Sequence, residues 1–544
     1  MSRAEPGGSV PATVGRDAAG DGSAGLAEQE SIWPLLDRGC RRHGDSAAIR
    51  HRTHHGWEAV SHRELAELVA RFADRLRGHG LRHGDRLALI GDSGLDWVVA
   101  DFAALRIGAV VVPIYPTSSA DQVRHIVRTT APAVGVADIA PRCTLLRESG
   151  VAAVIADPTT AVDPVTVAAG RDGPVSAGDV ATVVFTSGTT GEPKGCILTH
   201  RNVYCGAANV AAALPEIFTP ADGTRPRTVI ALPLSHMYGR SALLATLLVG
   251  GEATVVGQPA EMFDAMYQQP PTFLALTPYL LDKLDRTVLA DEREGRGRAA
   301  RAMGGLTYVI CGGASLAPEH QKSFHRRGIT VLGAYGMTES AAAAAINRAT
   351  DNRLGTVGRP NPGTSIAVDE SGELIITGGN VSPGYWGEVD PGRCGPGPFS
   401  IRTGDLGVVD GDGFIRITGR RKDILITSSG KNVAPAPLED RLRADPLITQ
   451  CVVVGDQRPY VTALIAVDAA EAARRRLSPG EVETWIQRAV NAANTLVSRA
   501  ESIRRWRLVP GDLSMSAGHL TSSGKLVRAK VLHDLADEID ALYR

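Results

Sequence analysis

The sequence predicts an α/β protein with a large N-terminal domain, a β subdomain and a small C-terminal α+β domain. At 544 residues the chain exceeds one hydrophobic core, since cores stop growing at about 250 to 300 residues. Strand-like runs alternate with helical segments over the first two thirds, as in βαβ units. Gly-rich strands with Asp-Gly and Pro-Gly turns follow, and then a mixture of both element types.

The clearest single element is a helix that begins after Ser61. Ser61 and Glu64 fit a capping box, and apolar residues then recur at helical spacing until Gly78. The segments after it alternate between the two periods that strands and helices show. Strands are predicted at 86–90, 109–112, 229–232, 253–256, 306–310 and 330–332, and a helix at 95–107.

The character of the sequence changes after about Asp351. Strand-like segments at 373–377 and 414–418 predict a β subdomain that closes the large domain. Beyond it, the mixed elements make a small domain of ordinary size. They are strands at 451–454, 461–467 and 506–509 and a helix at 482–497. The predicted organisation is a disordered tail at 1–27, an N-terminal domain at 28–419 and a C-terminal domain at 420–544.

The charge and hydropathy of the chain exclude several partners. A formal net charge of −1 gives no bulk attraction to nucleic acid or to an anionic membrane. The longest apolar stretches, 109–114 and 242–249, fall far short of the roughly 20 residues that span a bilayer. The first residues contain no apolar segment of the kind a signal peptide needs. We therefore expect a soluble, cytoplasmic protein without a transmembrane segment.

Cysteines and histidines do not suggest a metal site. The seven cysteines are odd in number and lack C-x-x-C spacing, which favours reduced, buried thiols. His51, His54 and His55 are close in sequence, but they fall at the predicted tip of a hairpin, where exposed turn residues are expected.

The strongest functional signal is a loop at 186–195, where an apolar strand runs into a segment dense in glycine and hydroxyl groups. Glycines let backbone N–H groups turn toward an anion, hydroxyls donate further hydrogen bonds, and Lys194 supplies positive charge. The loop therefore suits a polyphosphate, although a flexible Gly/Ser linker has a similar composition. It is not a Walker A loop, because no Gly-Lys-Ser/Thr closes it.

The loop resembles the phosphate loop of the adenylate-forming superfamily, which includes acyl-CoA synthetases, peptide-synthetase adenylation domains and luciferases. Further motifs follow in that family's order, and the resemblance covers nearly everything from about Glu28 to the C-terminus. Among AMP-dependent synthetases and ligases, the chain is most similar to bacterial fatty acyl-CoA synthetases. The further motifs lie at 232–236, 312–315, 335–339, 403–405, 419–423 and 520–525.

The resemblance implies a nucleotide site built from these motifs. Glu339 would bind Mg²⁺, which is usually held by few carboxylates plus phosphate oxygens. Asp405 would accept hydrogen bonds from the ribose hydroxyls, with Arg420 nearby, and Thr338 would contact the α-phosphate. The residues that would hold the β- and γ-phosphates are Thr186, Ser187, Gly188, Thr189, Thr190 and Lys194. Those that would frame the adenine or lie beside the nucleotide are Gly312, Gly313, Ala314, Tyr335 and Gly336.

The resemblance also implies a catalytic group and a mobile C-terminal domain. Lys525 would bridge the acid and the phosphate, acting with Thr338 and Glu339. His236 would lie where the acyl chain meets the carboxylate, although a packed histidine at a strand end fits the same sequence. The C-terminal domain would rotate about a hinge at Lys422. Two further residues, Gly430 and Lys431, would line a channel for the thiol in the rotated state.

The implied function is ATP-dependent activation of a carboxylic acid as its acyl-AMP, followed by transfer to the thiol of coenzyme A. ATP, Mg²⁺ and coenzyme A are the implied cofactor and co-substrates. The acid is expected to be fatty or otherwise apolar, with 274–281, Ala334 and Met337 lining its pocket. The segment 279–335 looks shorter than in long-chain enzymes, and 388–400 lacks their acidic helical filler, which leaves a smaller acid open.

Several alternatives stay open at this point. The phosphopantetheine of a carrier protein offers the same thiol chemistry as coenzyme A. An amine acceptor would make the protein an amide synthetase, and the acid could be a specialised one. A non-enzymatic nucleotide-binding protein is the remaining alternative, against which the joint presence of Lys525, Glu339 and the phosphate loop argues.

Overall fold

The structure is a computed structural model that describes residues 13–14, 30–159, 174–186, 193–316, 318–395, 397–514, 517–521 and 526–544. Most of the predicted N-terminal tail lies outside the described residues. Within that tail, Thr13–Val14 is described as a strand. Five of the predicted site residues also lie outside: Ser187, Gly188, Thr189, Thr190 and Lys525.

The described chain alternates between helices and strands. The helices are α1 (Ile32–His43), α2 (His62–Gly78), α3 (Leu95–Ile107), α4 (Ala120–Thr130), α5 (Ala140–Glu148), α6 (His200–Ala213), α7 (Pro215–Phe218), α8 (Met237–Leu248), α9 (Met262–Gln268), α10 (Pro278–Arg293), α11 (Arg298–Met303), α12 (Pro318–His325), α13 (Pro435–Arg443), α14 (Ala469–Arg474), α15 (Pro479–Asn494), α16 (Arg528–Asp534) and α17 (Ala536–Ala541). Short 3₁₀ helices lie at Pro259–Glu261, Thr338–Ser340, Pro391–Arg393 and Arg421–Asp423.

The strands are β1 (Thr13–Val14), β2 (Ala47–Thr53), β3 (Gly56–Ser61), β4 (Arg86–Ile90), β5 (Val110–Ile114), β6 (Val134–Ala137), β7 (Ala153–Ile155), β8 (Val180–Thr186), β9 (Lys194–Thr199), β10 (Arg227–Ile230), β11 (Glu252–Val255), β12 (Phe273–Leu276), β13 (Tyr308–Cys311), β14 (Thr330–Met337), β15 (Ala342–Ile346), β16 (Arg359–Pro360), β17 (Thr364–Val368), β18 (Glu373–Gly378), β19 (Gly384–Tyr385), β20 (Phe399–Val409), β21 (Ile415–Arg420), β22 (Leu425–Ile426), β23 (Asn432–Val433), β24 (Ile448–Val454), β25 (Val461–Val467) and β26 (Ile503–Leu508).

Two large sheets form the N-terminal domain, as the βαβ pattern predicts. Among the described residues, one sheet has the order β19-β9-β8-β5-β4-β6-β7 and the other β16-β15-β14-β13-β12-β10-β11-β2-β3. Strands β4 to β8 pair in parallel, and so do β10 to β14 and β2 with β11. Helix α2 carries the predicted capping box, in which the Ser61 hydroxyl accepts from Glu64 N at 3.2 Å.

Helix α3 is buried on nearly all sides, in the core that the two sheets share. Its central carboxylate, Asp101, has no solvent exposure, and a lone charge there would be costly. Arg240 of α8 neutralises it: its Nε donates to Asp101 Oδ2 at 2.9 Å and its Nη2 to Oδ1. The pair therefore joins α3 to α8.

A β subdomain and a C-terminal α+β domain complete the described chain, as predicted. The subdomain is the antiparallel sheet β1-β17-β18-β20-β21, and the C-terminal domain contains the sheet β24-β25-β26. Helix α15 begins at Pro479, earlier than the predicted 482, because Ser478 and Glu481 form a capping box with proline at the first helical turn. Strand β26 likewise begins at Ile503 rather than at 506.

The predicted boundary between the two domains, at 419–420, falls inside strand β21. Arg420, the first residue of the predicted C-terminal domain, is the last residue of β21 and pairs with Asp405 of β20. Arg286 of α10 contacts Asp468, which caps α14, across the domain boundary. An ion pair thus holds the C-terminal domain against the helix that follows β12.

The predicted cysteine assignment agrees with the structure, and the exposed-turn assignment holds for His54 and His55 but is wrong for His51, because β2 extends past it to Thr53. Each of the seven cysteines is a free, buried thiol. His54 and His55 lie exposed in the turn between β2 and β3, while His51 lies within β2. In the part of the chain that is described, no helix is long and apolar enough to cross a bilayer.

His62, at the start of α2, links the stability of this fold to pH. It is 1% exposed, its ring centroid lies 5.5 Å from that of His43, and Arg225 Nη2 lies 3.3 Å from its Nε2. Burial, followed by the positive charge of Arg225 and by His43, lowers the pKa of His62 from 6.5 to about 4. Between about pH 4 and pH 6.5, His62 is therefore protonated in the unfolded chain but mostly neutral in the folded chain.

We expect this depressed pKa to make the protein less stable as pH falls. Stability from the neutral His62 is complete above pH 6.5 and is lost down to about pH 4. Between pH 8 and pH 5 it amounts to about 2 kcal/mol. His62→Gln should therefore flatten the fall of Tm with acidification, whereas His54→Gln, in the exposed turn, should not. Parallel Tm profiles for wild type and His62→Gln would contradict this assignment.

Candidate active site

The predicted site residues gather where the parallel strands β12, β13 and β14 end. In open α/β sheets, ligands bind at this carboxyl edge. Gly312 directly follows β13, and its N–H donates to Leu276 O of β12 at 3.2 Å. The 3₁₀ helix Thr338–Ser340 directly follows β14. The sheet thus brings Gly312, Thr338 and Glu339 to one edge.

Asp405 is held between two donors from different strands. The hydroxyl of Tyr335 donates to its Oδ2 at 2.8 Å, and Arg420 Nε donates to its Oδ1 at 2.7 Å. Burial, and then the negative charge of Asp405, raises the pKa of Tyr335, which keeps the phenol protonated as a donor. The structure thus brings together Tyr335, Asp405 and Arg420, as the motifs imply.

The turn before Asp405 explains its fixed position. The hydroxyl of Thr403 accepts from Asp405 N at 3.0 Å and donates to Leu374 O at 2.8 Å. Gly404 has φ of 71°, a conformation that favours glycine, and its N–H donates to Glu373 Oε1 at 2.9 Å. The Thr-Gly-Asp sequence is therefore required by the local geometry as well as by any ligand.

Glu339 is buried, with 7% exposure, and its carboxylate has a phenolic partner. Tyr385 of β19 donates to Glu339 Oε1 at 2.7 Å. Burial, and then the charge of Glu339, raises the pKa of Tyr385, so the hydroxyl stays protonated. The backbone is fixed as well, since Ser382 N donates to Glu339 O at 2.7 Å. Tyr385 reaches this position because β19 pairs with β9, opposite Cys196.

Lys194 lies at the base of the phosphate loop, opposite Thr186 in the β8–β9 pair. Its ammonium is 5.4 Å from the ring centroid of Tyr385, within the range of a cation–π contact. It also lies 2.8 Å from Glu388 Oε1. Lys194, Tyr385 and Glu339 thus form a continuous chain of contacts.

Close backbone approach explains several of the glycines. A Cβ on Gly312 would lie 2.9 Å from Ala334 O, and one on Gly336 would lie 1.7 Å from Ala342 O. Gly313 has φ of 87°, and Ala314 after it is exposed. Packing therefore explains the glycines at 312 and 336, and the left-handed backbone conformation explains the one at 313.

His236 caps α8 at the edge of the apolar core. Its Nδ1 accepts from Tyr238 N at 3.1 Å, and its ring centroid is 6.4 Å from that of Tyr115, whose pKa is raised by burial. The hydroxyl of Tyr238 donates to Ile310 O at 2.9 Å and to Leu276 O at 3.3 Å. His236 therefore lies at the start of the helix whose next turn carries Arg240.

The predicted hinge and thiol-channel residues lie beyond β21 in the chain. Lys422 is exposed within the 3₁₀ helix that follows β21. Gly430 has φ of 77° in a tight turn, and Lys431 Nζ lies 3.6 Å from Glu501. Beside this segment, a cavity of ≈ 400 Å³ opens between Thr418 of β21 and the C-terminal domain.

Sequence reasoning missed Tyr385 and Glu388. Neither lies in one of the motifs from which the site was predicted, and both reach the site through the pairing of β19 with β9. The partners in the Lys194–Glu388 contact are 194 residues apart. A Gly-Tyr pair after a Pro was the available signal, and it indicates a turn or short strand rather than a site.

Comparison with known proteins identifies the class. The family model of AMP-binding enzymes matches residues 36–386, and that of the AMP-binding enzyme C-terminal domain matches residues 422–544. The chain therefore belongs to the AMP-binding enzyme family, the adenylate-forming superfamily that its motifs resemble. It is an enzyme of the AMP-forming acid–thiol ligase class.

Individual relatives refine this placement. The chain is 33% identical to long-chain-fatty-acid–CoA ligase FadD15 of Mycobacterium bovis over 560 residues, covering 90% of this chain and 92% of the relative. It is 28% identical to feruloyl-CoA synthase of an Amycolatopsis species over 487 residues, covering 84% and 91%. Its fold is similar to that of the anthranilate CoA ligase AuaEII in complex with anthranoyl-AMP, with a TM-score of 0.79, 20% identity and coverage of 96% and 100%.

The packing at Gly336 yields a test of the site's architecture. Gly336→Ala should push β14 from β15 at the register shift beside Tyr335, because the new methyl group would overlap Ala342 O. We expect a loss of about 1 to 3 kcal/mol, the usual cost of overpacking, measured as a lower Tm. Gly411→Ala, in a turn where nothing lies within 4 Å, is the matched control. Equal Tm values for the two variants would show that β14 and β15 are not packed as described.

Proposed function

We propose that the protein activates an apolar carboxylic acid with ATP as its acyl-AMP and then transfers the acyl group to the thiol of coenzyme A. The observation that carries this proposal is the chain of contacts from Lys194 through Tyr385 to Glu339. A cation and a buried carboxylate thus contact the same tyrosine, and the cation belongs to the segment 186–195, whose composition suits a polyphosphate. Such a pair fits a nucleotide triphosphate with its metal ion.

The nucleoside would lie at the other end of the site. Asp405 is already oriented by Tyr335 and Arg420, so its remaining lone pairs can accept from the ribose hydroxyls without further reorganisation. The adenine would lie against the backbone of Gly312, Gly313 and Ala314, where the missing side chains at the glycines allow a flat ligand to approach closely.

A magnesium ion fits the donor set at Glu339. Mg²⁺ is usually bound by one or two carboxylates together with phosphate oxygens, and Tyr385 occupies only one of the lone pairs of Glu339. When bound, the ion would neutralise phosphate charge. The tyrosine would keep the carboxylate aimed at the phosphates, and Thr338 beside it would donate its hydroxyl to the α-phosphate.

The reaction has two steps. A carboxylate oxygen of the acid attacks the α-phosphorus, the bond between that phosphorus and the oxygen bridging to the β-phosphate breaks, and pyrophosphate leaves. Positioning and charge neutralisation dominate such a step, and Lys194 and Lys525 would supply positive charge. The thiol sulfur of coenzyme A then attacks the acyl carbon, its proton passes to water, and AMP leaves.

The acid and the acceptor are inferred from chemistry and from relatives. Tyr238, two residues after His236, packs against a cluster of buried apolar residues, which favours an apolar acid. The relatives' names specify fatty, feruloyl and anthranilate acids and coenzyme A as the acceptor. Gly430 and Lys431 would line the route of the thiol, and a carrier-protein phosphopantetheine would need the same route.

The first test is a pyrophosphate exchange assay with a panel of fatty and aryl acids. We expect acid-dependent, Mg²⁺-dependent ATP–pyrophosphate exchange and AMP as the final product, with AMP release accelerated by coenzyme A. ADP as the product would refute adenylation. Acceleration by a carrier protein or an amine instead of coenzyme A would refute the acceptor while leaving the adenylation step intact.

The second test separates the two half-reactions through two lysines. Lys525→Ala should slow acyl-AMP formation by about 10² to 10³, the scale of losing one preorganised electrostatic contact, and should spare thioester formation from synthetic acyl-AMP. Lys530→Ala, which removes an exposed lysine paired with Asp534, is the control. Lys422→Pro should do the reverse, because a fixed φ blocks rotation of the C-terminal domain.

Lys422→Ala controls for loss of the ammonium, since it keeps the backbone free to rotate, and it should lose less thioester formation than the proline variant. Equal loss of both half-reactions in Lys525→Ala and Lys422→Pro would contradict the rotating-domain mechanism.

A further inference from the structure

We propose that Glu388 is a resident anion that occupies the ammonium of Lys194 and competes there with the phosphates of ATP and with pyrophosphate. This inference rests on the proposed function, in which Lys194 binds the nucleotide phosphates. Lys194 Nζ lies 2.8 Å from Glu388 Oε1, and both side chains are about half exposed, at 54% and 55%. The contact is therefore accessible to a ligand arriving from solvent.

The turn that carries Glu388 is fixed on both sides, so its approach to Lys194 is built into the fold. Trp386 N donates to Gly195 O at 2.8 Å, and the Trp386 indole donates to Thr129 O at 3.1 Å. Beyond Glu388, Val389 packs against the apolar core beneath the first sheet. The turn itself is closed by hydrogen bonds from Glu388 N and Val389 N to Tyr385 O, at 3.0 and 3.1 Å.

The lysine is equally constrained. It begins β9, opposite Thr186, and its ammonium lies over the ring of Tyr385 at 5.4 Å from the centroid. The ring therefore limits the directions from which an anion can reach the ammonium. Glu388 takes one of these directions, on the side of the exposed turn.

The Glu388 carboxylate and a phosphate group are both anions, so they compete for the Lys194 ammonium. A phosphate oxygen that binds the Lys194 ammonium must displace the carboxylate of Glu388, and the loss of that ion pair lowers the affinity for a polyanion. After pyrophosphate leaves, Glu388 can again neutralise the ammonium. The same contact therefore weakens the binding of ATP and of pyrophosphate, and it favours release of the latter.

The test is Glu388→Gln, which keeps the size of the side chain and removes its charge. An exposed ion pair is worth up to about 1 kcal/mol, so we expect the KM values for ATP and for pyrophosphate in the exchange assay each to fall by about 2- to 5-fold. The single-turnover rate of acyl-AMP formation at saturating ATP should stay unchanged. The decrease in KM should shrink as ionic strength rises, because salt screens exposed charges.

Two further variants control for indirect effects. Glu483→Gln removes an exposed glutamate from α15 and should leave both KM values at the wild-type level. In a Lys194→Ala background, Glu388→Gln should have no further effect, since the cation for which the anions compete is gone. Persistence of the effect in that background would overturn the proposal, and so would an unchanged or raised KM for ATP in the single variant.

Failure of the proposed function can be told apart from failure of this inference. If wild type shows no acid-dependent exchange, adenylation is refuted, and calorimetric titration with inorganic pyrophosphate still tests Glu388. Tighter binding by Glu388→Gln than by wild type would support the inference, and equal binding would overturn it.

Discussion

The buried ion pair between Asp101 and Arg240 fixes helix α8, which begins at the candidate active site, against the buried helix α3. A helix as fully buried as α3 can carry a carboxylate only if a cation is buried with it, because a lone internal charge costs several kcal/mol. That cation comes from α8, one turn after His236, whose carbonyl accepts from Arg240 N at 3.1 Å. The ion pair that neutralises Asp101 thus also holds α8 in place, and His236 lies at the start of that helix.

A second buried carboxylate, Asp405, ties the β subdomain to the large domain. Its donors come from β14 and β21, so three strands of two different sheets converge on one side chain. Arg420 is the last residue of β21, and the exposed Lys422 follows two positions later. Any rotation of the C-terminal domain about Lys422 would therefore start two residues beyond Arg420, which Asp405 holds fixed.

The sequence allowed prediction of elements and residues whose signals are local. The capping box at Ser61 located α2, and the motif order located Tyr335, Asp405 and Arg420, which the fold brings within hydrogen-bonding distance. Contacts that depend on long-range pairing escaped prediction. Nothing near Glu388 in sequence indicates that β19 joins β9 and places it on Lys194, 194 residues away. The loop residues 187–190 and Lys525 lie outside the described residues, and the binding and catalytic roles of the described site residues stay predictions as well.

Tyr385 contacts both the Lys194 ammonium and the Glu339 carboxylate, two opposite charges that would otherwise attract each other. If Lys194 and Glu339 met directly, each would neutralise the other, and neither would retain its full capacity for a phosphate or a metal ion. A protonated phenol placed between them donates its hydroxyl to the carboxylate and presents its ring to the ammonium. Both groups are thereby oriented without pairing with each other, and the carboxylate that pairs with Lys194 is the exposed Glu388. In the function proposed above, the ammonium would serve the phosphates and the carboxylate the metal ion.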